Sequence, residues 1–238
     1  MLLDVDGTLL DFVQDPSAVN VSASLLALLH ALHQALGGAL ALVSGRGLDE
    51  LNRLFNHPAW AAVGQHGVEL RHADGRRRQI AVNPAQQASM RAAVHALAAR
   101  LDGVQVEDKG AGIALHCRVA PLQFPALRAA AIALAAQLDG YEAQCGNLVV
   151  EFKPAGIDKG LALQELLQEA PFANRLPVYL GDDLTDEHAF SRVNQAGGIS
   201  VRVGTREPSL AGFTLADPAA VQAWLQQVLA VLKQGASC

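Results

Sequence analysis

The first 80 residues alternate between short apolar runs and amphipathic stretches. Leucines at helical spacing over 22–36 predict a helix that follows a capping Ser22 and ends at the glycine pair 37–38. A second helix is predicted to begin near Leu48. The apolar runs have the length of buried strands, and two further runs around the turn at 73–75 predict a hairpin. The predicted strands are 1–5, 39–43, 61–64, 68–72 and 77–82.

The pattern changes between residues 83 and 153. Two Ala-rich stretches, 84–101 and 122–138, have the length and composition of helices. Four short segments around them alternate apolar and polar residues, which is typical of an antiparallel sheet with one exposed face. These predicted strands are 104–106, 113–119, 141–144 and 148–152. We therefore expect a separate α+β module within the chain.

After residue 153 the first pattern returns. Helices are predicted at 159–169, 185–194 and 217–233, and strands at 177–180 and 198–203. Alternating strands and helices are typical of a parallel sheet covered by helices. The sequence therefore predicts an α/β fold with a Rossmann-like parallel-sheet core. This core comprises residues 1–82 and 154–238 and is interrupted by an inserted domain at 83–153.

Composition excludes some classes of function. The chain has 238 residues, 51% of them apolar, which is enough to bury a sizeable core. Its formal net charge is −5, and its longest basic run is the short segment 76–78. Nucleic-acid-binding proteins present a basic face and often stacking aromatic residues, whereas only 5% of this chain is aromatic. We expect no nucleic-acid partner.

The cysteines and the N-terminus indicate a compartment. Cys117, Cys145 and Cys238 form no CxxC pair, and three cysteines fit a reducing environment better than a disulfide framework. The N-terminus has no basic leader, and no run of about 20 apolar residues is long enough for a membrane helix. We expect a soluble cytoplasmic protein, a monomer without a membrane partner.

The segment Asp4-Val5-Asp6-Gly7-Thr8 follows the first predicted strand. Side chains alternate along a strand, so Asp4 and Asp6 are expected to point the same way where ligands of α/β sheets bind. Two carboxylates there repel each other unless a cation lies between them. The alternative for such a segment alone is a solvated Asp-Gly turn.

A second acidic segment, 181–186, also follows a predicted strand. Asp182, Asp183 and Asp186 offer the oxygen ligands that Mg²⁺ prefers. Acidic residues at a helix N-terminus, where the dipole favours them, are the alternative. Because two acidic segments at strand ends of one chain are less readily explained separately, we expect a divalent-cation site.

Two further segments supply groups that bind phosphate. Ser44-Gly45-Arg46 offers a hydroxyl, a close approach of the backbone and the amides of a helix N-terminus. Lys159 is predicted at the start of a helix, where its charge opposes the dipole unless an anion is near. The alternatives are that Ser44 is a simple N-cap and that Lys159 is a solvated surface residue.

In this order, the DxDGT, SGR, Lys-Gly and GDDxTDE segments resemble the four motifs of the haloacid dehalogenase (HAD) superfamily of phosphohydrolases. The module at 83–153 resembles that superfamily's larger inserted cap, the C2 type. Further segments resemble the trehalose-6-phosphate phosphatases within it. These are 106–110 followed by His116 and Arg118, then 64–67, 150–154 and 181–190.

The resemblance implies Mg²⁺-dependent hydrolysis of trehalose 6-phosphate to trehalose and phosphate, the final step of trehalose biosynthesis, through an aspartyl phosphate. It implies that Asp4 is the nucleophile and that Asp6 is the general acid and base. Metal ligands would be Asp4, the Asp6 carbonyl and Asp182. Thr8 would orient Asp6 or equally well have only a role in the turn, and Asp183 and Asp186 would support the metal ligands or be alternative ligands themselves. The phosphate-binding residues would be Asp4, Val5, Asp6, Ser44, Gly45 and Lys159.

By the same resemblance, the inserted domain recognises the sugar through Glu107, Lys109 and Glu151, with Arg46 as a further contact. A solvated face of an antiparallel sheet is the alternative for the first three. His66 is a weaker candidate, and His116 and Arg118 fit a structural role equally well.

Three alternative functions remain open from the sequence. The protein could be a HAD phosphatase for another sugar phosphate, such as sucrose phosphate or mannosylglycerate phosphate. It could be a phospho-acceptor module that uses Asp4, although such modules have no inserted domain and no second carboxylate two residues later. It could also be a catalytically silent sugar-phosphate sensor, for which Asp6 would have no use.

Overall fold

A computed structural model describes residues 1–11, 19–56 and 59–235, so Cys238 lies outside the described residues. The chain forms two compact units, Met1–Gln79 with Asp158–Cys238, and Ile80–Ile157. We call them the core unit and the inserted unit. The functions expected of the corresponding stretches of sequence stay predictions.

Twelve strands and seven α-helices are present in the described residues. The strands are β1 (Leu2–Asp4), β2 (Ala41–Val43), β3 (Ala61–Gly64), β4 (Glu69–Arg71), β5 (Arg77–Gln79), β6 (Gln105–Asp108), β7 (Ile113–His116), β8 (Tyr141–Gly146), β9 (Val149–Pro154), β10 (Val178–Gly181), β11 (Ile199–Val203) and β12 (Phe213–Leu215). The helices are α1 (Ala23–Ala35), α2 (Leu48–Phe55), α3 (Pro84–Ala98), α4 (Phe124–Ala135), α5 (Lys159–Leu167), α6 (Glu187–Gln195) and α7 (Pro218–Gly235).

The core unit contains one sheet in the order β12-β11-β10-β1-β2-β3-β4-β5. The first six strands in this order run parallel, and β4 and β5 are added as an antiparallel hairpin. In parallel sheets the carboxyl ends of neighbouring strands share one edge. The residues that follow β10, β1 and β2 therefore lie side by side at that edge.

Helices cover both faces of this sheet. One face packs against leucines of α1 and α2 and against Val221 and Leu225 of α7. The other face packs against α5 and α6, with Leu163 and Phe190 fully buried. Covering both faces explains why the parallel strands are continuous apolar runs.

Local signals set the limits of α1. Its N-cap Ser22 accepts a hydrogen bond from the Leu25 amide at 3.2 Å. Such a cap satisfies one of the amides that the first helical turn leaves without a partner. The leucines at helical spacing are the buried ones, which places one face of the helix in the core.

The inserted unit is an antiparallel sheet in the order β6-β7-β9-β8 with two helices on one face. Met90 of α3 and Leu127 of α4 pack with Ile113, Leu115 and Phe152 of the sheet. The alternate residues of β7 and β9 belong to the other face. One cross-strand row of that face runs Glu107, Ala114, Glu151, Gln144.

The predicted fold class, an α/β protein with a large parallel sheet, is confirmed. The sequence missed β12, because a three-residue edge strand with two exposed positions has no recognisable pattern. The predicted helix at 185 begins instead as a 3₁₀ turn at Leu184–Asp186 and continues as α6. Among the described helices, none has both the length and the apolar character of a membrane span.

Replacing Leu29 with alanine should destabilise the core unit. Leu29 is fully buried between α1 and the sheet, and such truncations cost about 2–5 kcal/mol. Gln34→Ala on the exposed side of the same helix should change the free energy of unfolding by less than about 0.5 kcal/mol. Urea unfolding of both variants measures the difference, and equal losses would contradict this packing of α1.

Candidate active site

Three aspartates meet at the carboxyl ends of two neighbouring strands. Asp4 is the last residue of β1, and Asp182 directly follows β10, its parallel neighbour. Asp186 ends the 3₁₀ turn that comes next in the chain. One carboxylate oxygen from each aspartate lies within 4.8 Å of the others. The topology therefore brings residues 178 positions apart in sequence into one acidic cluster.

The ammonium group of Lys159 lies within this cluster. Lys159 is the first residue of α5, is only 2% exposed, and donates to Asp4 Oδ1 at 2.7 Å and to Asp186 Oδ1 at 2.6 Å. Burial alone would lower the pKa of Lys159, but the two carboxylates hold it well above its usual value. Lys159 therefore stays charged and fixes both aspartates, which excludes the solvated-lysine alternative.

Both carboxylate oxygens of Asp186 accept hydrogen bonds. Besides Lys159, the Tyr179 hydroxyl donates to Oδ1 at 2.6 Å, and the amides of Asp182 and Asp183 donate to Oδ2 at 2.9 and 3.0 Å. Burial alone would raise the pKa of Asp186, but Lys159 and these hydrogen bonds hold it below its usual value. Asp186 is thus a buried anion that organises the turn.

Gly181 is required at this turn because no other residue leaves room for Asp186. A Cβ atom at position 181 would lie 2.4 Å from the Asp186 Cγ. The glycine that ends β10 therefore lets the anchoring carboxylate of Asp186 approach the backbone.

Asp4 and Asp182 are in a different electrostatic state from Asp186. Burial raises the pKa of Asp4 to about 7, with Lys159 opposing and Asp186 adding to the shift. Burial, followed by the charges of Asp4 and Asp186, raises the pKa of Asp182 to about 9. Two carboxyl groups that favour protonation because of burial and mutual repulsion are suited to a divalent cation, whose charge offsets both causes. The donor set therefore fits Mg²⁺.

Thr8 takes a different partner from the expected one. The sequence left two roles open for Thr8, orienting Asp6 or forming part of the turn, and its buried hydroxyl donates to Asp182 Oδ1 at 3.4 Å. The reason is the turn after β1, in which the amides of Thr8 and Leu9 bond back to the Val5 carbonyl. Thr8 therefore links the first acidic segment to the second.

The loop after β2 is shaped by close packing. Ser44 is buried, and its hydroxyl accepts from the Arg46 amide at 3.1 Å. The His66 ring lies against Gly45 so closely that a Cβ there would be 2.5 Å from Nε2. His66 and Gln65 both have left-handed backbone, with φ of 55° and 47°. The 64–67 segment thus supports the Ser44-Gly45 loop from the neighbouring strand.

Arg46 and Asp6 form a two-pronged ion pair. Arg46 Nε donates to Asp6 Oδ2 and Nη2 donates to Asp6 Oδ1, both at 2.7 Å. Glu50, in the first turn of α2, pairs with Nη1 of the same guanidinium. Burial lowers the pKa of Arg46, but the two acids more than offset this and raise it. Such paired bonds fix the plane and direction of a carboxylate.

The three predicted sugar-binding residues of the inserted unit belong to its polar sheet face. Lys109 Nζ donates to Glu151 Oε2 at 2.9 Å, and His116 Nε2 lies 2.7 Å from Glu107 Oε2. The hydrogen bond from His116 lowers the pKa of Glu107 despite burial. Ala114 lies between Glu107 and Glu151 in the cross-strand row, and its small side chain leaves space between the two carboxylates.

Sequence reasoning missed two residues that shape the acidic cluster. Tyr179 looks like a core residue of β10, and only the packing of α5 and α6 shows its hydroxyl on Asp186. Arg206 donates to the Asp182 carbonyl from a loop 24 positions later, a contact with no local signal. The partner of Arg46 was also unforeseen, because an ion pair across 40 positions depends on the order of the strands.

Known proteins share this architecture. The C-terminal domain of Candida albicans trehalose-6-phosphate phosphatase superposes with a TM-score of 0.85 at 21% identity, over 97% of this chain and 92% of that one. A phosphatase of the haloalkanoate (HAD) enzyme superfamily from Bacteroides thetaiotaomicron superposes with a TM-score of 0.64 at 18% identity, over 97% and 94% of the two chains. The fold is therefore that of the HAD phosphatases.

Sequence comparison narrows this class. A family model described as trehalose-phosphatase matches residues 2–219. A probable trehalose-phosphate phosphatase of Sinorhizobium fredii is 43% identical over 210 residues, 88% of this chain and 79% of that protein. A trehalose-6-phosphate phosphatase of Escherichia coli is 38% identical over 231 residues, 97% and 86% of the two chains. The chain belongs to the trehalose-phosphatase family.

The protonated aspartates make stability depend on pH and on metal. Without a divalent cation the folded protein holds protons on Asp4 and Asp182 that the unfolded chain has lost above the ordinary pKa of 3.8. The folded state then binds more protons, so the contribution of these groups to stability falls as pH rises through about 7 and about 9. Mg²⁺ competes with the protons, so its stabilising effect should grow with pH.

Thermal unfolding with and without Mg²⁺, between about pH 6 and about pH 9, measures this effect. Each kcal/mol corresponds to about 2–4 °C in Tm for a chain of this size. Asp182→Asn, which cannot release a proton, should show a smaller and flatter Mg²⁺ effect. A Mg²⁺-induced shift that is the same at every pH would contradict the raised pKa values.

Proposed function

We propose that this protein is a Mg²⁺-dependent phosphatase that hydrolyses trehalose 6-phosphate to trehalose and phosphate. One observation carries the proposal. Asp4 and Asp182 lie beside each other at the ends of adjacent strands of a HAD core, and the buried Lys159 holds Asp4 in place. This arrangement supplies a fixed nucleophile, a cation for the phosphate and carboxylates for a metal. The substrate follows from membership of the trehalose-phosphatase family.

The proposed metal ligands are the carboxylates of Asp4 and Asp182 and the carbonyl oxygen of Asp6. Asp186 lies in the same cluster but directs both oxygens to other donors, so we assign it a supporting role. Asp183 caps the turn by accepting from the Leu184 amide at 2.7 Å, which also fits support rather than ligation. When bound, Mg²⁺ supplies positive charge that offsets the carboxylates and the phosphoryl oxygens.

Phosphoryl transfer proceeds mainly by positioning and charge neutralisation. An Asp4 oxygen attacks phosphorus, the bond to the sugar oxygen breaks, and Asp6 gives a proton to that oxygen. Asp6 then takes a proton from a water molecule that attacks the aspartyl phosphate and releases inorganic phosphate. Lys159 keeps the Asp4 carboxylate oriented and binds the phosphate together with Ser44 and the loop amides of Val5, Asp6 and Gly45.

Arg46 was predicted to contact the sugar, and we propose that it also positions Asp6. Its guanidinium holds both Asp6 oxygens, and Glu50 holds the guanidinium from the other side. A general acid and base works only in the correct direction and within hydrogen-bond distance of the reacting oxygen. Arg46 therefore limits the motion of the half-buried Asp6 side chain before substrate binds, and one Asp6 oxygen must leave the guanidinium to carry the proton that it gives to the sugar oxygen.

We propose that the polar sheet face of the inserted unit recognises the sugar, with the core unit carrying out the chemistry. Glu107, Lys109 and Glu151 present both donors and acceptors, which sugar hydroxyls require. Glu151 is only 6% exposed and is paired with Lys109, so its position is defined before substrate binds. A defined array of polar groups discriminates strongly against sugars that leave them without partners.

The proposal includes a monomer in the cytoplasm. The support for the compartment comes from the sequence, since three cysteines without a pairing pattern fit a reducing environment. Cys117 and Cys145, the two described cysteines, are free thiols.

A panel of phosphate esters tests the activity. Phosphate release from trehalose 6-phosphate should exceed release from sucrose phosphate and mannosylglycerate phosphate by at least about tenfold in kcat/KM. A chelator should abolish release, and added Mg²⁺ should restore it. Asp4→Asn should be inactive on every ester because an amide cannot form the acyl phosphate. Equal rates on all esters would reject the substrate, and a single equivalent of phosphate per protein would reject the enzyme.

Replacing Lys109 with alanine should separate sugar recognition from chemistry. KM for trehalose 6-phosphate should rise at least about tenfold, the effect of losing one charged hydrogen bond. Slow hydrolysis of an activated aryl phosphate should be unchanged. Arg128→Ala, which removes an exposed charge from α4 of the same unit, is the matched control. Equal loss of both activities in Lys109→Ala would show that Lys109 does not act through the sugar.

A further inference from the structure

The backbone at Asp182 and Asp183 is held from its amide side. Both amides donate to the same oxygen of Asp186, at 2.9 and 3.0 Å. Asp186 is in turn fixed by Lys159 and Tyr179. These contacts fix the amides of the two residues and leave their carbonyl groups to other partners.

Arg206 holds the same two residues from the carbonyl side. Its Nε donates to the Asp182 carbonyl at 3.2 Å, and its Nη2 donates to the Asp183 carbonyl at 3.3 Å. Arg206 belongs to the loop that follows β11, the strand next to β10. The planar guanidinium can span two consecutive carbonyls, which the single ammonium of a lysine cannot do with the same geometry.

Glu187 anchors Arg206 in this position. Its Oε1 pairs with Arg206 Nη2, and its Oε2 accepts from the Leu210 amide at 2.7 Å. Glu187 is the first residue of α6, directly after Asp186. The side chains of Arg206 and Glu187 are only 23% and 18% exposed. The contact therefore joins the loop after β11 to the start of α6 and is largely shielded from solvent.

We propose that Arg206 is a positioning residue for the metal ligand Asp182. Asp186 holds the amides of residues 182 and 183 and Arg206 holds their carbonyls, so that the Asp182 carboxylate is presented beside Asp4 in one direction. This role rests on the proposed function in one respect, namely that Asp182 binds Mg²⁺. Residues that orient a ligand without touching the metal typically contribute 10- to 100-fold, in order of magnitude, to metal affinity.

Charge and geometry predict opposite effects here, which makes the role testable. A guanidinium near a cation site repels the cation, so its charge alone would weaken Mg²⁺ binding. Removing Arg206 should then tighten binding if only charge matters. If Arg206 acts by holding the backbone, its removal weakens binding even though a positive charge is lost.

The experiment measures Mg²⁺ affinity of the full chain by titration calorimetry without substrate. Arg206→Ala and Arg206→Lys should each raise the Kd for Mg²⁺ by about 10- to 100-fold, since lysine keeps the charge but not the two-carbonyl contact. Arg76→Ala is the matched control. Arg76 is also paired with acidic residues but lies before β5, at the opposite edge of the sheet from β12. Its Kd should equal that of the wild type.

Hydrogen exchange in the absence of metal provides a second measurement. The amides of Asp182 and Asp183 should exchange faster in both Arg206 variants, with exchange of the β1 and β10 amides unchanged. An unchanged or lower Kd in Arg206→Ala, or unchanged exchange at these two amides, would overturn the role. Wild-type protein that binds no Mg²⁺ would reject the proposed metal instead, and the exchange data would still decide whether Arg206 holds the loop.

Discussion

The site depends on one buried ammonium group between two aspartates. Charges are expensive to bury unless they are paired and fully hydrogen-bonded, and Lys159 meets this condition only if Asp4 and Asp186 both reach it. The start of α5, the end of β1 and the turn after β10 must therefore come together for the core unit to fold without an unpaired charge. The interaction that assembles the fold at this edge is thus the same one that orients Asp4, the proposed nucleophile.

The aspartates of the cluster differ in what they bond to, and this difference explains their roles. Asp186 has four donors on two oxygens and a lowered pKa, so it is a structural anion. Asp4 and Asp182 have fewer partners among the described residues and raised pKa values. Asp4 and Asp182 are destabilised as anions, whereas Asp186 beside them is stabilised as an anion. A cation that binds Asp4 and Asp182 would favour their charged forms. The arrangement lowers the stability of the metal-free protein and raises its affinity for a cation.

Much of the fold and the acidic cluster could be predicted from the sequence, because those signals are local. Apolar runs followed by Asp4 or Asp182 indicate strand ends, and a leucine repeat after Ser22 indicates α1. The partners of these residues could not be predicted in the same way. Arg46 on Asp6, Thr8 on Asp182 and Arg206 on the Asp182 backbone depend on strand order and on loop conformations that no local pattern encodes. The sequence indicates which side chains are chemically able to act, whereas the three-dimensional contacts determine how they are oriented.

The positions at which the chain enters and leaves the inserted unit have an evolutionary consequence. The core unit is interrupted after Gln79 and resumes at Asp158, which caps α5 by accepting from the Leu161 amide. Asp4, Asp6, Asp182 and Lys159 all lie outside that interval. Substitutions, insertions or even replacement of residues 80–157 can therefore accumulate in a lineage without altering a single group of the acidic cluster, provided that Asp158 still starts the helix. Such a division lets selection vary the inserted unit while the acidic cluster is inherited unchanged.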